Sequence, residues 1–260
     1  MVADSQRVPL LQTRNVSKRF GAVQALKNIS LEVYAGEVVG LVGDNGAGKS
    51  TLIKCISGIF PIDSGEIWFD GQAVTFRSPR DASQRGIQTV YQDLALCDNL
   101  DVVGNMFLGR EQVLPALVHP VKPLDETGME KRSIQILQGL AVSLPSVRAR
   151  IASLSGGQRQ AVAIARAAMS DSKLVILDEP TAALGMVQTR QVLELIRRLR
   201  RDGLAILVTN HNLNEIFEIA DRIVVLRLGR TNGAYEIART PREQILAAIT
   251  GTELGARVAV

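Results

Sequence analysis

The chain has 260 residues, of which 46% are hydrophobic and 22% are charged, and its formal net charge is +4 at pH 7. This composition is typical of a folded globular protein and excludes a disordered or fibrous one. No apolar run approaches the ~20 residues that a membrane-spanning helix needs, and the segment Met1 to Ser5 lacks the pattern of a secretory leader. We therefore expect a cytoplasmic protein that forms one large α/β domain or two small ones.

The cysteines and histidines are too few and too scattered to form a redox or zinc motif. Cys55 and Cys97 show neither spacing, and we interpret both as reduced, buried thiols. With only His119 and His211 available, a transition-metal site is not expected. The densest basic run, residues 197–201, ends a helical pattern, where arginines complement the helix dipole. We favour a solvated helix end over a surface that binds nucleic acid.

Hydrophobic periodicity predicts strands and helices that alternate along the chain. The predicted strands are 11–16, 29–33, 38–42, 174–177, 205–208 and 222–226. The predicted helices are 50–57, 129–140, 158–169, 187–201 and 242–249, and a turn is predicted around Gly233. The first two strands indicate a small initial sheet, and the continuously apolar later strands indicate a parallel core. Between about Asp93 and Met169 helical patterns replace strands, with a proline-punctuated loop at 114–123.

A phosphate-binding pattern, G-x-x-x-x-G-K-[ST], directly follows the predicted strand 38–42. It consists of Gly43, Asp44, Asn45, Gly46, Ala47, Gly48, Lys49 and Ser50, and Thr51 extends it into the next helix. Its glycines allow backbone N–H groups to surround phosphates, and the helix N-terminus adds a positive dipole. We expect Lys49 to bridge the β- and γ-phosphates of a nucleotide and the Ser50 hydroxyl to bind Mg²⁺.

Two adjacent carboxylates, Asp178 and Glu179, follow the apolar strand 174–177. Such a pair is more often a solvated strand end than an active site. The phosphate-binding pattern reverses that preference, because the carboxyl edge of a parallel sheet faces the bound ligand. We expect Asp178 to hold Mg²⁺ directly or through water, and Glu179 to orient or deprotonate the attacking water.

A second anion-binding pattern begins a helix at residues 154–158, Leu-Ser-Gly-Gly-Gln. A serine cap and consecutive N–H groups make this helix start suited to phosphate. This segment resembles the signature motif of the ABC ATPases, and the resemblance to that family covers the chain from about residue 11 to 230. The resemblance implies a single domain, 1–260, with a P-loop NTPase core of mainly parallel sheet. It also implies an N-terminal antiparallel β subdomain, an inserted helical subdomain at about 93–169 that carries the signature, and a short C-terminal extension.

The resemblance also implies the substrate, the metal and the dimer. ATP and Mg²⁺ would be bound between two identical chains arranged head to tail. The signature residues Ser155, Gly156, Gly157 and Gln158 would complete the partner's site, with Ser155 and Gly157 contacting the γ-phosphate in trans. Gln92 would contact Mg²⁺ and link to a membrane permease. His211 would contact the γ-phosphate, and Phe20 would stack on adenine.

One departure from the family pattern follows Glu179. Many members have Ser-Ala-Leu-Asp where this chain has Ala-Ala-Leu-Gly at 182–185, which puts the cross-talk between the two ATP sites in doubt. The amino-acid sequences of residues 181–185, 90–94 and 210–213 resemble those of the family branch that imports monosaccharides of the ribose, xylose and fructose type.

That branch implies a peripheral protein at the cytoplasmic face of the inner membrane, with permease subunits as partners and a solute-binding protein as an indirect one. Two alternatives remain open. One is the motor of another importer or of an exporter. The other is a soluble ABC ATPase that acts on ribosomes or nucleic acid, although these typically need tandem domains or a long coiled-coil insertion.

Overall fold

The computed structural model describes residues 8–114, 123–169 and 172–252. The described residues fall into two compact units. The first unit contains those up to Thr89, together with Ser172–Glu179 and those from Arg200 onward. The second contains those from Val90 to Met169 and Pro180–Leu199. Most of the proline-punctuated stretch, residues 115–122, lies outside the described residues.

The described residues form ten strands and eight α-helices. The strands are β1 (Leu11–Phe20), β2 (Val23–Val33), β3 (Val38–Val42), β4 (Ser64–Phe69), β5 (Gln72–Val74), β6 (Ile87–Val90), β7 (Leu174–Asp178), β8 (Ala205–Thr209), β9 (Arg222–Arg227) and β10 (Arg230–Glu236). The helices are α1 (Lys49–Ile56), α2 (Pro79–Gln84), α3 (Val102–Phe107), α4 (Glu126–Gly139), α5 (Gly156–Ala168), α6 (Met186–Arg201), α7 (Leu213–Ile219) and α8 (Arg242–Thr250). Every strand and helix predicted from periodicity is present, with ends that differ by a few residues.

The strands form two sheets. One is antiparallel and has the order β2-β1-β4-β5. The other has the order β10-β9-β3-β8-β7-β6, in which β9, β3, β8 and β7 run parallel and β10 pairs antiparallel with β9. All five residues of β3 and of β8 are buried, as expected for parallel strands covered on both faces. The predicted α/β architecture with an antiparallel β subdomain is therefore confirmed.

The predicted turn at Gly233 is wrong. Gly233 lies inside β10, at a bulge in its pairing with β9, and its φ of 142° is in the range that favours glycine. The turn lies instead at Leu228 and Gly229, whose φ values are 49° and 75°. A bulge glycine and a turn glycine produce the same sequence signal, because both supply positive φ.

The second unit is built from helices whose buried residues recur at helical spacing. In α4 the buried residues are Met129, Ser133 and Leu137, each one turn from the next, and the Ser133 hydroxyl donates to the Met129 carbonyl oxygen at 2.9 Å. The α3, α4 and α5 helices pack against one another. Among the described residues, no helix combines the length and apolar character needed to cross a membrane.

The two cysteines differ in their surroundings. Cys55, in α1, is buried, and burial raises the pKa of its thiol to about 11. Cys97 is only half-buried, so the expectation that both thiols are buried is wrong for this one. Cys97 lies in an irregular segment, where its backbone N–H and carbonyl bond the Asn105 amide. The apolar character of cysteine does not reveal that this residue lies in a loop held by hydrogen bonds between its backbone and the Asn105 side chain.

Candidate active site

The phosphate loop, residues 43–50, connects the end of β3 to the start of α1. Gly43 has a φ of 148°, and a Cβ added there would collide with the backbone oxygen of Leu226. Gly48 has a φ of 105°, and a Cβ there would lie 2.9 Å from the Ala25 oxygen. Gly48 occupies the N-cap position of α1 and no side chain caps the helix. The first N–H groups of α1 therefore have no intrahelical acceptor, which suits them to bind an anion.

Lys49 crosses back over the loop that precedes it. Its Nζ donates to the carbonyl oxygens of Gly43 at 2.6 Å and Asp44 at 3.1 Å. An ammonium has three N–H donors, so one is left for a ligand. Burial lowers the pKa of the Lys49 ammonium, and the carboxylates of Glu179, Asp44 and Asp178 oppose this shift.

The end of β7 positions two carboxylates, and Thr209 at the end of β8 orients both residues. The Thr209 hydroxyl donates to Asp178 Oδ1 at 2.7 Å and accepts the Glu179 N–H at 3.1 Å. Glu179 has a φ of 53°, in the left-handed region, which is uncommon for residues other than glycine and asparagine. Such local strain persists where surrounding bonds fix the backbone, and here Thr209 supplies them.

A cavity of about 590 Å³ brings the phosphate loop, Glu179 and His211 together. It is lined by Val23, Gln24, Ala25, Lys27, Asn45, Gly46, Ala47, Gly48, Lys49, Ser50, Thr51, Glu179, His211, Leu228 and Gly229. His211 Nε2 lies 2.5 Å from Glu179 Oε1. The side chain of Glu179 is 20% exposed and that of His211 is 57% exposed, so the histidine is the more accessible partner of the pair.

The residues of this cavity fit a magnesium nucleotide. Its volume is within the range of small-molecule sites, and its floor is an uncapped helix N-terminus. The Ser50 hydroxyl in its lining is an oxygen donor of the kind that Mg²⁺ prefers, and so is the carboxylate of Asp178, the residue before the lining residue Glu179. No cluster of three or more His, Cys, Asp or Glu side chains is found in the described part of the chain. A small number of protein ligands is normal for Mg²⁺, because the ion usually binds one or two side chains and completes its coordination with waters and phosphate oxygens.

The signature segment forms the N-terminus of α5 in the second unit. Ser155 is the N-cap: its Oγ accepts the Gln158 N–H at 3.3 Å, and Gln158 Oε1 accepts the Ser155 N–H at 3.0 Å. Gly157 is buried, and a Cβ added there would lie 2.8 Å from the Cβ of Gln188. The serine is therefore a helix cap, and this glycine allows close packing against α6.

The comparisons with known proteins agree with this geometry. The family model described as ABC transporter matches residues 26–182. This chain belongs to the ABC transporter family. It is an ATP-binding subunit of the kind that hydrolyses ATP in that family.

Two curated relatives resemble the ABC protein over most of its length. It is 46% identical over 246 residues to the xylose/arabinose import ATP-binding protein of Sulfolobus acidocaldarius, with 95% of this chain and 96% of the relative covered. It is 49% identical over 224 residues to the fructose import ATP-binding protein of Rhizobium meliloti, with 85% and 86% covered.

Solved ATP-binding cassettes of ABC transporters share the fold. A nucleotide-free cassette has a TM-score of 0.78 at 27% identity, with 94% of this chain and 96% of that chain covered. A dimeric cassette in a post-hydrolysis state, bound to ADP and Pi, has a TM-score of 0.71 at 25% identity, with 87% and 98% covered. The predicted ABC ATPase fold is confirmed.

Gln92 and Phe20 are among the predicted site residues of the ABC ATPase that do not line the cavity, as are Gly43, Asp44, Asp178 and the four signature residues. Gln92 is exposed and lies two residues beyond the end of β6, in the second unit. Phe20, at the end of β1, is 42% exposed and packs edge-on against Phe60, with ring centroids 5.1 Å apart. The Lys18 Nζ lies 5.5 Å from the centroid of the Phe20 ring. Part of the Phe20 ring remains open for stacking, and that role stays a prediction.

Sequence reasoning missed several residues of the ABC site. Thr209 is fully buried and bonds both carboxylate residues. Its position at the carboxyl end of a buried strand, two residues before His211, was a signal that could have identified it. Val23, the first residue of β2, and Leu228, in the turn between β9 and β10, line the cavity and are 67% and 71% exposed. No local pattern distinguishes them, because the tertiary fold brings them to the loop.

Gly185, where the chain departs from the ABC pattern, lies at the start of α6. Gly185 precedes α6, and its carbonyl oxygen accepts the Thr189 N–H at 2.9 Å, which makes it the N-cap residue. The Gly185 N–H donates to Gln188 Oε1 at 3.3 Å. A Cβ at this position would meet no atom within 4 Å. An aspartate would therefore fit here, and its absence is not imposed by packing.

Proposed function

We propose that this ABC ATPase powers the import of a monosaccharide through a membrane permease. The observation that carries the catalytic part is a cavity in which the phosphate loop, Glu179 and His211 meet. The two curated relatives, both sugar-import ATP-binding proteins, support the sugar assignment. The protein would act at the cytoplasmic face of the membrane as a peripheral subunit, and a solute-binding protein would deliver the sugar to the permease.

In this proposal the phosphate loop holds the β- and γ-phosphates of ATP. The N–H groups at the start of α1 and the Lys49 ammonium supply positive charge where negative charge accumulates. Ser50, Asp178 and Gln92 would hold Mg²⁺, which when bound neutralises phosphate charge. The adenine would stack on Phe20.

Glu179 is the residue that would act on the attacking water. Its carboxylate accepts a proton from that water or orients it for in-line attack. The strained backbone of Glu179, fixed by Thr209, limits the directions in which the carboxylate can point. His211, in contact with Glu179 Oε1, would hold the carboxylate and reach the γ-phosphate.

Two copies of the chain would complete the sites. Ser155 and Gly157 of one copy would contact the γ-phosphate of the ATP held by the other. In the capping box of α5 the Ser155 oxygen accepts a bond, so its hydroxyl hydrogen remains a donor, as do N–H groups of the first turn. The solved dimeric cassette bound to ADP and Pi supports the pairing of two copies.

The test is ATP hydrolysis by the protein assembled with its permease in lipid vesicles. Glu179→Gln should lower kcat by about 100-fold or more while ATP binding is kept, because only proton acceptance is removed. Glu243→Gln is the control: it makes the same carboxylate-to-amide change at an exposed position on α8 and should leave kcat unchanged. Unchanged turnover in Glu179→Gln would contradict the catalytic assignment.

The sugar assignment has its own test with the same vesicles. Hydrolysis should rise when xylose, arabinose, fructose or ribose is supplied with the solute-binding protein. A partner permease that moves lipid or peptide outward would refute sugar import. Tight, salt-sensitive binding to nucleic acid would instead support the soluble alternative.

A further inference from the structure

The two residues that flank His211 are held by one carboxylate. The Asn210 Nδ2 donates to Glu215 Oε2 at 2.7 Å, and the Asn212 Nδ2 donates to Glu215 Oε1 at 2.8 Å. Each carboxylate oxygen thus bonds one neighbour of the histidine. We call this arrangement of Asn210, Asn212 and Glu215 the carboxylate clamp.

The clamp modifies an ordinary helix cap. Asn212 is the N-cap of α7, and its Oδ1 accepts the Asn214 N–H at 3.1 Å. In a capping box, the carboxylate three residues later accepts the backbone N–H of the cap residue. Here the Asn212 N–H donates to Asn210 Oδ1 at 2.8 Å instead. Glu215 is therefore able to bond two side-chain amides, which ties the loop before the helix to the helix itself.

The position of the His211 ring depends on this loop. The ring is 57% exposed, and its polar contact among the described residues is the one to Glu179. An exposed side chain with one contact is oriented mainly by its own backbone. Hydrogen bonds to a charged group are stronger than neutral ones, so two of them restrict the backbone on both sides of the histidine.

We propose that Glu215 is a positioning residue for ATP hydrolysis, which acts by holding the loop that carries His211 against Glu179. The proposal rests on the role assigned to His211 in the proposed function. It predicts a larger effect on the chemical step than on ATP binding, because Glu215 lines neither the cavity of about 590 Å³ nor a second cavity, in which Asn210 and His211 meet residues of the phosphate loop. Small displacements of a catalytic group reduce rates strongly.

Kinetics with the full chain and its permease separate positioning from simple helix stabilisation. Glu215→Ala should lower kcat about tenfold and leave the KM for ATP within about twofold, the loss expected for charge-assisted bonds. Asn210→Ala, which removes one arm of the clamp outside the helix cap, should act in the same direction. Glu218→Ala removes an exposed carboxylate from the same helix and should leave kcat unchanged. Equal losses in Glu215→Ala and Glu218→Ala would overturn the proposal.

A double-mutant cycle tests whether the effect passes through His211. In the His211→Ala background, Glu215→Ala should cause no further loss of kcat, since there is no ring left to position. If the fold-loss of kcat in the double variant equalled the product of the losses in the two single variants, the proposal would be overturned.

Nuclear magnetic resonance gives a readout that does not depend on activity. The chain has two histidines, so the imidazole spectrum is simple, and a His119→Gln variant assigns it. The ring signals of His211 should move in Glu215→Ala and Asn210→Ala and stay in place in Glu218→Ala. Unmoved signals in all three would overturn the proposal. If His211→Ala kept full turnover while the ring signals moved, the clamp would stand and the catalytic role of His211 would fall.

Discussion

The phosphate loop and the signature segment are both helix N-termini, yet they differ in how their N–H groups are used. The loop enters α1 through Gly48 without a side-chain cap. The signature enters α5 through Ser155, which exchanges two hydrogen bonds with Gln158. The N–H groups at the first helix start are therefore open to water or a ligand, whereas those at the second are partly satisfied by their own chain. The first helix start is thus the better suited of the two to bind an anion.

Glycine is needed in the two segments for different physical reasons. In the loop, Gly43 and Gly48 adopt backbone angles that side chains rarely reach. In the signature, Gly157 lies in regular helix, and its lack of a side chain allows Gln188 to approach. Similar glycine-rich motifs thus encode a conformation in one place and a packing distance in the other.

The largest expected effect is at Gly43. Gly43→Ala should lower the free energy of unfolding of the first unit by about 3 kcal/mol, because strain at φ of 148° adds to a collision with the fixed Leu226 backbone. Gly46→Ala is the matched control, since it has positive φ and open space, and should cost about 1 kcal/mol. Hydrogen exchange of β3 and β9 amides measures both. Equal costs would show that the collision does not matter.

A smaller effect is expected at Gly157. Gly157→Ala should destabilise α5 by about 2 kcal/mol, because the new Cβ would overlap the Gln188 side chain. At the neighbouring Gly156 a Cβ would meet only Leu184 Cδ2 at 3.3 Å, so Gly156→Ala should be close to neutral. Hydrogen exchange of α5 amides distinguishes the two. A larger loss in Gly156→Ala would refute the packing explanation.

Ser155 allows the cap to be separated from phosphate binding. Ser155→Ala should destabilise α5 by about 1 kcal/mol through loss of the cap. Ser155→Asp should keep the helix stable, since aspartate caps well, but should abolish ATP-dependent dimerisation by placing a negative charge near phosphate. Thermal unfolding and solution mass are the measurements. A Ser155→Asp chain that still dimerised with ATP would contradict the phosphate contact.

The smallest effect is expected at Gly185. Gly185→Asp should stabilise α6 by a few tenths of a kcal/mol, because aspartate caps slightly better than glycine and has room to do so. Thermal unfolding compared with Gly185→Ala checks the cap explanation, since alanine cannot accept the bond. Stabilisation by alanine and not by aspartate would exclude it.

The sequence predicted the parts of the molecule whose physical cause is local. The phosphate loop, the Asp178–Glu179 pair and the cap at Ser155 each depend on residues close in the chain, and all were located. Thr209 bonds Asp178 and Glu179, which lie 31 and 30 residues earlier in the chain, and only the fold brings these groups together. The bonds of Glu215 are local, but they go to the side-chain amides of Asn210 and Asn212 and not to the backbone N–H that a capping box predicts.

Backbone conformation was the other feature that the sequence did not predict fully. Glycine signals positive φ but does not say whether a turn or a bulge uses it, and Gly233 was misassigned for that reason. The left-handed conformation of Glu179 has no sequence signal, because glutamate is not a residue type that favours positive φ.

The central claim is that each ATP site combines the phosphate loop of one chain with the signature of another. The most direct test is the solution mass of chains that carry Glu179→Gln, with saturating ATP. A chain that also carries Lys49→Ala and a chain that also carries Ser155→Arg should each remain near 28.1 kDa. Their mixture should show dimers of about twice that mass, because one pairing retains a complete site. A mixture that stays monomeric, while Glu179→Gln alone forms dimers, would contradict the account.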